Sequence, residues 1–398
     1  MNNNNKLNNK VRRVFLIVLD SLGIGEALDA HLFNDFGSNT LSSISKSSSF
    51  NTPNLANLGL FNIDKVSCGS PIKSPTASFG RICEASNGKD TTIGHWEIAG
   101  VISRSPLPTF PNGFPRNILD EFYKKTNKRL ICNLPYSGTQ VIKDFGEEHL
   151  KTGDIILYTS ADSVFQLASH EDVVPLEDLY SYCEIARDIL VGEFAVGRVI
   201  ARPFTGEYPF QRTSNRHDYS LLPPTPNLLT TLGDSNLDVI SVGKISDIFA
   251  GVGINKSMPT KNNKDGMQKA LDLLKYDDFN GLAFINLVDF DMLFGHRNDI
   301  DGYADALTRF DADLLEFINN MRQDDILFIT ADHGCDPAFP TTDHTREDVP
   351  LLVYGNCVKQ DNSLGTLSSF ADISQTILDL FNISSTNLDG TSFSNKII

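Results

Sequence analysis

The stretch ILFITADH, residues 326–333, decides the fold. Residues 326–330 have the length and apolar character of a strand buried on both faces. An aspartate and a histidine, Asp332 and His333, follow almost at once. In an open α/β sheet, functional side chains collect just beyond the carboxyl ends of the parallel strands. Two other apolar runs end the same way. Residues 14–19 lead directly into Asp20, and residues 284–288 lead into Asp289 and Asp291, with His296 five positions on. Residues 239–242 and 350–354 are further runs of this kind, and all five are read as parallel strands. Between them lie helical faces: Ala270, Leu273 and Leu274; then Leu307, Phe310, Leu314, Phe317, Ile318 and Met321; then Ile373, Ile377, Leu380 and Phe381. Buried strands alternating with amphipathic helices predict an α/β core with a mostly parallel sheet.

The chain is long enough, at 398 residues, for two domains. Two proline clusters punctuate it, at Pro106, Pro108, Pro111 and Pro115, and at Pro223, Pro224 and Pro226. Prolines at that density interrupt regular structure. Residues 155–158 read as a strand between the clusters and 176–190 as a helix. The expected organisation is a discontinuous core, 11–104 with 223–398, and an inserted smaller α+β domain, 105–222. Residues 1–10, MNNNNKLNNK, read as a disordered tail without the apolar centre of a signal peptide. The formal charge of −16 argues against nucleic acid or an anionic membrane as a main partner. Six scattered cysteines without a CxxC pair suit reduced thiols and a cytoplasmic setting.

Three strand ends thus deliver Asp20, Asp291, Asp332 and His333, joined by His296 and by His344 in TDHTRE. Carboxylates crowded without a cation repel one another. Carboxylate and imidazole without thiolate suit manganese, zinc or magnesium. Six side chains are too many for one structural zinc and suit two ions, about 4 Å apart, clamping a phosphoryl displacement. A nucleophile is then required. The segment 88–96, GKDTTIGHW, offers Thr91 and Thr92, whose alkoxides a metal can stabilise. Alternation in an extended segment turns only one of the two threonines toward the metals.

These residues, in order and spacing, resemble the alkaline-phosphatase superfamily, and within it the phosphopentomutase family. The similar stretches include FLIVLDSLGIGEALDA (15–30), GKDTTIGHWEIAG (88–100), YTSADSVFQLASHE (158–171), VGRVIARPFTGE (196–207), GKISDIFAG (243–251), NLVDFDMLFGHRND (286–299) and TDHTREDVPLLVYG (342–355). The resemblance implies an alkaline-phosphatase-like core with a cap domain. It implies that Thr91 becomes phosphorylated. Asp20, Asp332 and His333 would hold one Mn2+, with Thr91 reaching it, and Asp291, His296 and His344 a second. Ser160, Asp162 and backbone near Ile200 would meet sugar hydroxyls. Arg198, Arg212 and Lys244 would hold the distal phosphate; Arg202 and Arg216 are left without a role. The implied reaction interconverts ribose 1-phosphate and ribose 5-phosphate, and the deoxyribose pair, through a pentose bisphosphate, with a sugar bisphosphate as activator. The competing expectation is a metal-dependent phosphomonoesterase that admits water to the same site. Cys335, two residues past His333, is a candidate for oxidation if it proves exposed.

Overall fold

The computed structural model describes residues 11–160 and 162–398; the Asn-rich segment 1–10, expected to be disordered, lies outside the described residues. In chain order the strands are β1 Arg13–Leu19, β2 Ser78–Ile82, β3 Leu130–Pro135, β4 Ile155–Thr159, β5 Val164–His170, β6 Arg198–Thr205, β7 Gln211–Arg212 and β8 His217–Ser220. They continue with β9 Asp238–Val242, β10 Lys256–Met258, β11 Gly281–Leu287, β12 Asp325–Thr330, β13 Val349–Gly355 and β14 Asn362–Leu367. The chain divides into two compact units, one made of the residues up to Ser105 with Pro223–Ile398, the other of Pro106–Leu222.

The first unit carries an eight-stranded sheet in the order β10-β9-β11-β1-β12-β13-β2-β14. From β10 to β12 neighbouring strands are parallel. All residues of β1, β11 and β12 are buried, which is why they read as unbroken apolar runs. β13, expected to be parallel, is antiparallel to both β12 and β2. An apolar run reports burial on two faces and carries no information on strand direction. β2 and β14 escaped the sequence pattern because β2 buries Ser78 and Arg81, and β14 is broken by a register shift at Ser363/Gly365. The long helix Ile300–Asn320 packs against Asn263–Leu274 and Pro53–Leu58. Met321 and Phe381, expected within helices, are the C-caps that end them.

At the N-terminal ends of β1 and β12, Arg13 pairs with Asp325 across the parallel register. Both side chains are fully buried, with Nη2 2.6 Å from Oδ2 and Nε 2.7 Å from Oδ1. Arg13 Nη1 also donates to the carbonyls of Leu274 and Tyr276, at the C-terminal end of the Asn263–Leu274 helix. A bidentate, fully hydrogen-bonded pair is the form in which a buried charge is tolerated. It anchors the end of the sheet opposite the carboxyl edge.

The second unit is a sheet in the order β3-β4-β5-β6-β7, with β8 beside β6. Alternate residues serve opposite faces. Ile155, Leu157, Val199 and Ala201 join the core formed with helices Arg116–Thr126 and Leu176–Ile189. Ile156, Tyr158 and Phe204 join the core formed with helix Gly138–Thr152. By the same alternation Arg198, Ile200 and Arg202 share the face of Phe204.

Candidate metal centre

β11, β1 and β12 are adjacent and parallel, and each releases its first candidate residue one to four positions past its carboxyl end. Asp20 follows β1. Asp332 and His333 follow β12. Asp291 lies on the π-helical turn Phe290–Phe294 after β11, and His296 on the next turn, Gly295–Arg297. His344 arrives on the loop before β13. Asp289 stays outside the cluster and accepts from the Asn263 N–H at 2.8 Å.

Three overlapping groups of ligand atoms result, each within 4.8 Å: Asp20, Asp332 and His333; Asp291, His333 and His344; Asp291, His296 and Cys335. His333 Nε2 stands 3.5 Å from Asp20 Oδ1 and 3.2 Å from Asp332 Oδ2. His344 Nε2 is 3.4 Å from Asp291 Oδ1 and 3.1 Å from His296 Nε2. The three rings are oriented alike. Nδ1 meets a backbone carbonyl in each: Gly334 at 3.0 Å for His333, Thr342 at 2.6 Å for His296 and Lys89 at 2.9 Å for His344. A carbonyl only accepts, so each Nδ1 carries the proton and each Nε2 faces the carboxylates. Asp20 Oδ1, Asp291 Oδ1 and Asp332 Oδ2 are buried without a hydrogen bond. Imidazole lone pairs and unpartnered carboxylate oxygens converging on the same volume require a cation. The donor set of oxygen and nitrogen fits a divalent metal ion.

The electrostatics agree. Burial, with Asp332 and Asp291 nearby, pushes the Asp20 carboxyl up to about 7. Burial disfavours charge on His296, yet Asp291 draws it up to about 9. Burial likewise opposes charge on Asp332 and Asp291, but the surrounding histidines hold both below the usual carboxylate range. Without a metal, protons take the cation's place.

Thr91 and Thr92 do not lie on an extended segment as expected. They open the helix Thr91–Ile98, whose N-cap Asp90 accepts from the N–H groups of Thr92 and Ile93. KDTT is therefore a cap sequence and part of the site at once. Thr91 Oγ1 is 3.0 Å from His333 Nε2. The helix seats very close to the sheet edge, since a Cβ on Gly94 would lie 2.1 Å from the Asp332 carbonyl oxygen. Ser21 adopts φ +71° directly after Asp20, and its N–H donates to Asp332 Oδ1 at 3.1 Å. Its hydroxyl lies 3.1 Å from Tyr303 Oη. Ser21, Tyr303, His95 and Asn286 are neighbours of the cluster that sequence reasoning did not single out. The signal for His95 was its place one turn after Thr91.

Cys335 is 1% exposed, and burial and nearby carboxylates push its thiol up, so it is not an oxidation-prone thiolate.

Of the expected substrate residues, Lys244 lies in the first unit, its Nζ 3.9 Å from Met292 Sδ. The others lie in the second. Ser160 and Asp162 sit in the loop before β5, joined by an Asp162 N–H to Ser160 Oγ bond of 3.3 Å. Val164 of β5 pairs with Arg198, so that loop and Arg198 share one end of the sheet. Ile200 is buried on β6. The backbone of Arg212 pairs with Phe204, roughly 20 Å along β6 from Arg198, but its side chain turns back toward Tyr158, on the strand position level with Ile200. It lines a cleft of about 510 Å³ with Arg202 and Arg216. Arg216 is bound to Asp218 through two 2.6 Å contacts.

The metalloenzyme superfamily model matches residues 12–385. The phosphopentomutase of Lachnoclostridium phytofermentans is 58% identical, covering 96% of this chain and 98% of its own. That of Acetivibrio thermocellus is 53% identical over 98% of this chain and 100% of its own, and that of Thermotoga maritima 52% over 97% and 99%. The chain belongs to the phosphopentomutase family. It is thereby an isomerase, an intramolecular phosphotransferase, and metal-dependent. The solved PH0037 protein of Pyrococcus horikoshii aligns over 94% of this chain and 98% of its own at 16% identity and a TM-score of 0.50, a likeness of fold alone. No helix among the described residues is long and apolar enough to cross a membrane.

Proposed function

We propose that the chain interconverts ribose 1-phosphate and ribose 5-phosphate, and the deoxyribose pair, by way of a phosphothreonine at Thr91. One observation carries this reading: a threonine hydroxyl 3.0 Å from His333 Nε2, at the head of a helix, beside three buried carboxylate oxygens without a hydrogen bond. Asp20, Asp332 and His333 would hold one ion and Asp291, His296 and His344 the other. Mn2+ fits this set of oxygen and nitrogen donors. When bound, the ions stabilise a threonine alkoxide and the charge on the transferring phosphoryl group.

The chain's own groups do the rest. The helix N-terminus favours an anion at Thr91. Nδ1 bonds to three carbonyls keep the imidazoles pointed inward. Phosphothreonine passes its phosphoryl group to the free hydroxyl of a pentose phosphate, giving a bisphosphate and free Thr91. The bisphosphate then returns its other phosphoryl group to Thr91. Nothing is gained or lost overall, and a sugar bisphosphate activates the enzyme by loading Thr91. Within the inserted domain, 105–222, Ser160, Asp162 and backbone near Ile200 would meet sugar hydroxyls and Arg198 and Arg212 a phosphate; Lys244 would also serve a phosphate. Six free thiols suit a cytoplasmic enzyme.

The test treats metal-loaded protein with glucose 1,6-bisphosphate and maps the phosphopeptide by mass spectrometry. Phosphate on Thr91 is expected; phosphate on Thr92, or none, refutes the assignment. Steady release of inorganic phosphate from ribose 5-phosphate, with no ribose 1-phosphate formed, would make the protein a phosphomonoesterase instead.

A further inference from the structure

Behind the ligands lies a second set of buried polar groups to which the proposed reaction gives no role. His95 follows Thr91 by one helical turn, is fully buried, and stacks on Phe284 with ring centroids 5.8 Å apart. Its Nδ1 is 2.8 Å from the Thr91 carbonyl oxygen and 3.1 Å from Asp332 Oδ2. The Thr91 carbonyl only accepts, so Nδ1 carries a proton and directs it there, while Asp332 Oδ2 stands beside the ring in charge contact without a hydrogen bond. Its Nε2 is 3.3 Å from Asn286 Nδ2, and that same amide nitrogen donates to Asp20 Oδ2 at 2.6 Å. Reversing the amide would set its oxygen against the Asp20 carboxylate, so the carboxylate fixes its orientation. An amide nitrogen has two hydrogens, one for Asp20 and one for the Nε2 lone pair, and the count closes.

The sheet register places these groups. Asn286 of β11 lies opposite Val18 of β1, and Asp20 comes two residues later on the same face. Asn286 Oδ1 is left buried and without a partner. An orphaned acceptor is a cost, so the contacts of Nδ2, not packing alone, keep the amide where it is. One oxygen of each carboxylate is tied, Asp20 Oδ2 by Asn286 and Asp332 Oδ1 by the Ser21 N–H. Asp20 Oδ1 and Asp332 Oδ2 are left facing His333.

We infer that His95 and Asn286 are positioning residues that hold Asp20, Asp332 and the Thr91 turn in one register, and so set the first metal position against the nucleophile. This rests on the two-metal reading. Neither residue touches the reacting atoms; they act through the carboxylates and the helix. Partners of metal ligands in comparable places alter affinity or activity by about 10–100-fold.

The test is a calorimetric titration of the full chain with Mn2+, alongside steady-state kinetics, for wild type, His95→Asn, His95→Ala and Asn286→Ala. The side-chain amide of His95→Asn can return an N–H near the Nδ1 position, and this variant should keep both equivalents within about threefold. His95→Ala and Asn286→Ala should each weaken one equivalent by about tenfold or more, leave the other within about threefold, and lower kcat with KM little changed. If His95→Ala fails to fold by circular dichroism, His95→Asn against Asn286→Ala carries the comparison. Equal weakening of both equivalents, no weakening, or His95→Asn behaving as badly as alanine overturns the inference. Wild-type protein binding fewer than two equivalents overturns the two-metal reading itself, and this inference with it.

Discussion

Thr91 is the residue on which the proposed chemistry turns, and three local facts give it that place. Asp90 caps its helix, Gly94 lets that helix press against Asp332, and His333 Nε2 stands at hydrogen-bond distance from its hydroxyl. Thr91→Ala removes the only group that can carry the phosphoryl in this mechanism, and kcat should fall about 10,000-fold or more. Thr91→Ser should restore part of the rate in the same assay, because the hydroxyl remains. Wild-type activity in Thr91→Ala would move the nucleophile elsewhere. Asp90→Ala removes two hydrogen bonds to helix N–H groups. A loss of about 1 kcal/mol in urea unfolding is expected.

At the scale of elements, the carboxyl edge of β11, β1 and β12 is held from both ends. The Arg13–Asp325 pair locks the far end. Arg13→Met leaves Asp325 buried and unpaired and should cost about 3–5 kcal/mol in urea unfolding. A cost under about 1 kcal/mol would show that the pair is dispensable. On the near side, Glu347 is fully buried and accepts from the N–H groups of Gly25 and Thr40 and from two threonine hydroxyls. Burial nonetheless pushes its carboxyl from 4.5 up to about 7. Its folded value lies above its unfolded one, so the folded protein keeps a proton that the unfolded chain releases. The stability it contributes is therefore full below about 4.5 and is lost as pH rises toward 7. Glu347→Gln does not titrate, so it should gain on wild type between pH 4.5 and 7, on the order of 3 kcal/mol. A stability difference independent of pH would contradict this.

Strands β1, β9, β11 and β12 were legible in the sequence, because a strand buried on both faces is apolar throughout. The direction of β13 was not, since the same apolar run fits either sense. Nor was the helix at Thr91, where Asp90, Thr91 and Thr92 match a turn and a cap equally well and packing at Gly94 decides. The acidic and histidine residues of the cluster other than His344 could be picked out because each comes after such a strand. His95 and Asn286 could not, because each is a single polar residue whose meaning lies in partners up to 266 positions away.

For the whole molecule, three unpartnered buried carboxylate oxygens on one sheet edge make metal removal a matter of stability as well as activity. Chelation should lower the thermal midpoint by roughly 5–10 °C, taking each ion at about 100-fold over its dissociation constant. Differential scanning calorimetry with and without chelator measures it, and an unchanged midpoint would speak against bound structural charge. Across a chain of formal charge −16, cations at this edge offset the acidic cluster they join. The α/β class, the strands that end in Asp and His, and the family resemblance follow from the sequence by itself, because apolar periodicity and local spacing are properties of neighbouring residues. Tertiary structure alone decided that the three strand ends are adjacent, that Thr91 heads a helix aimed at His333, and that His95 and Asn286 stand behind the acidic and histidine cluster, because register and packing join residues that the chain keeps hundreds of positions apart.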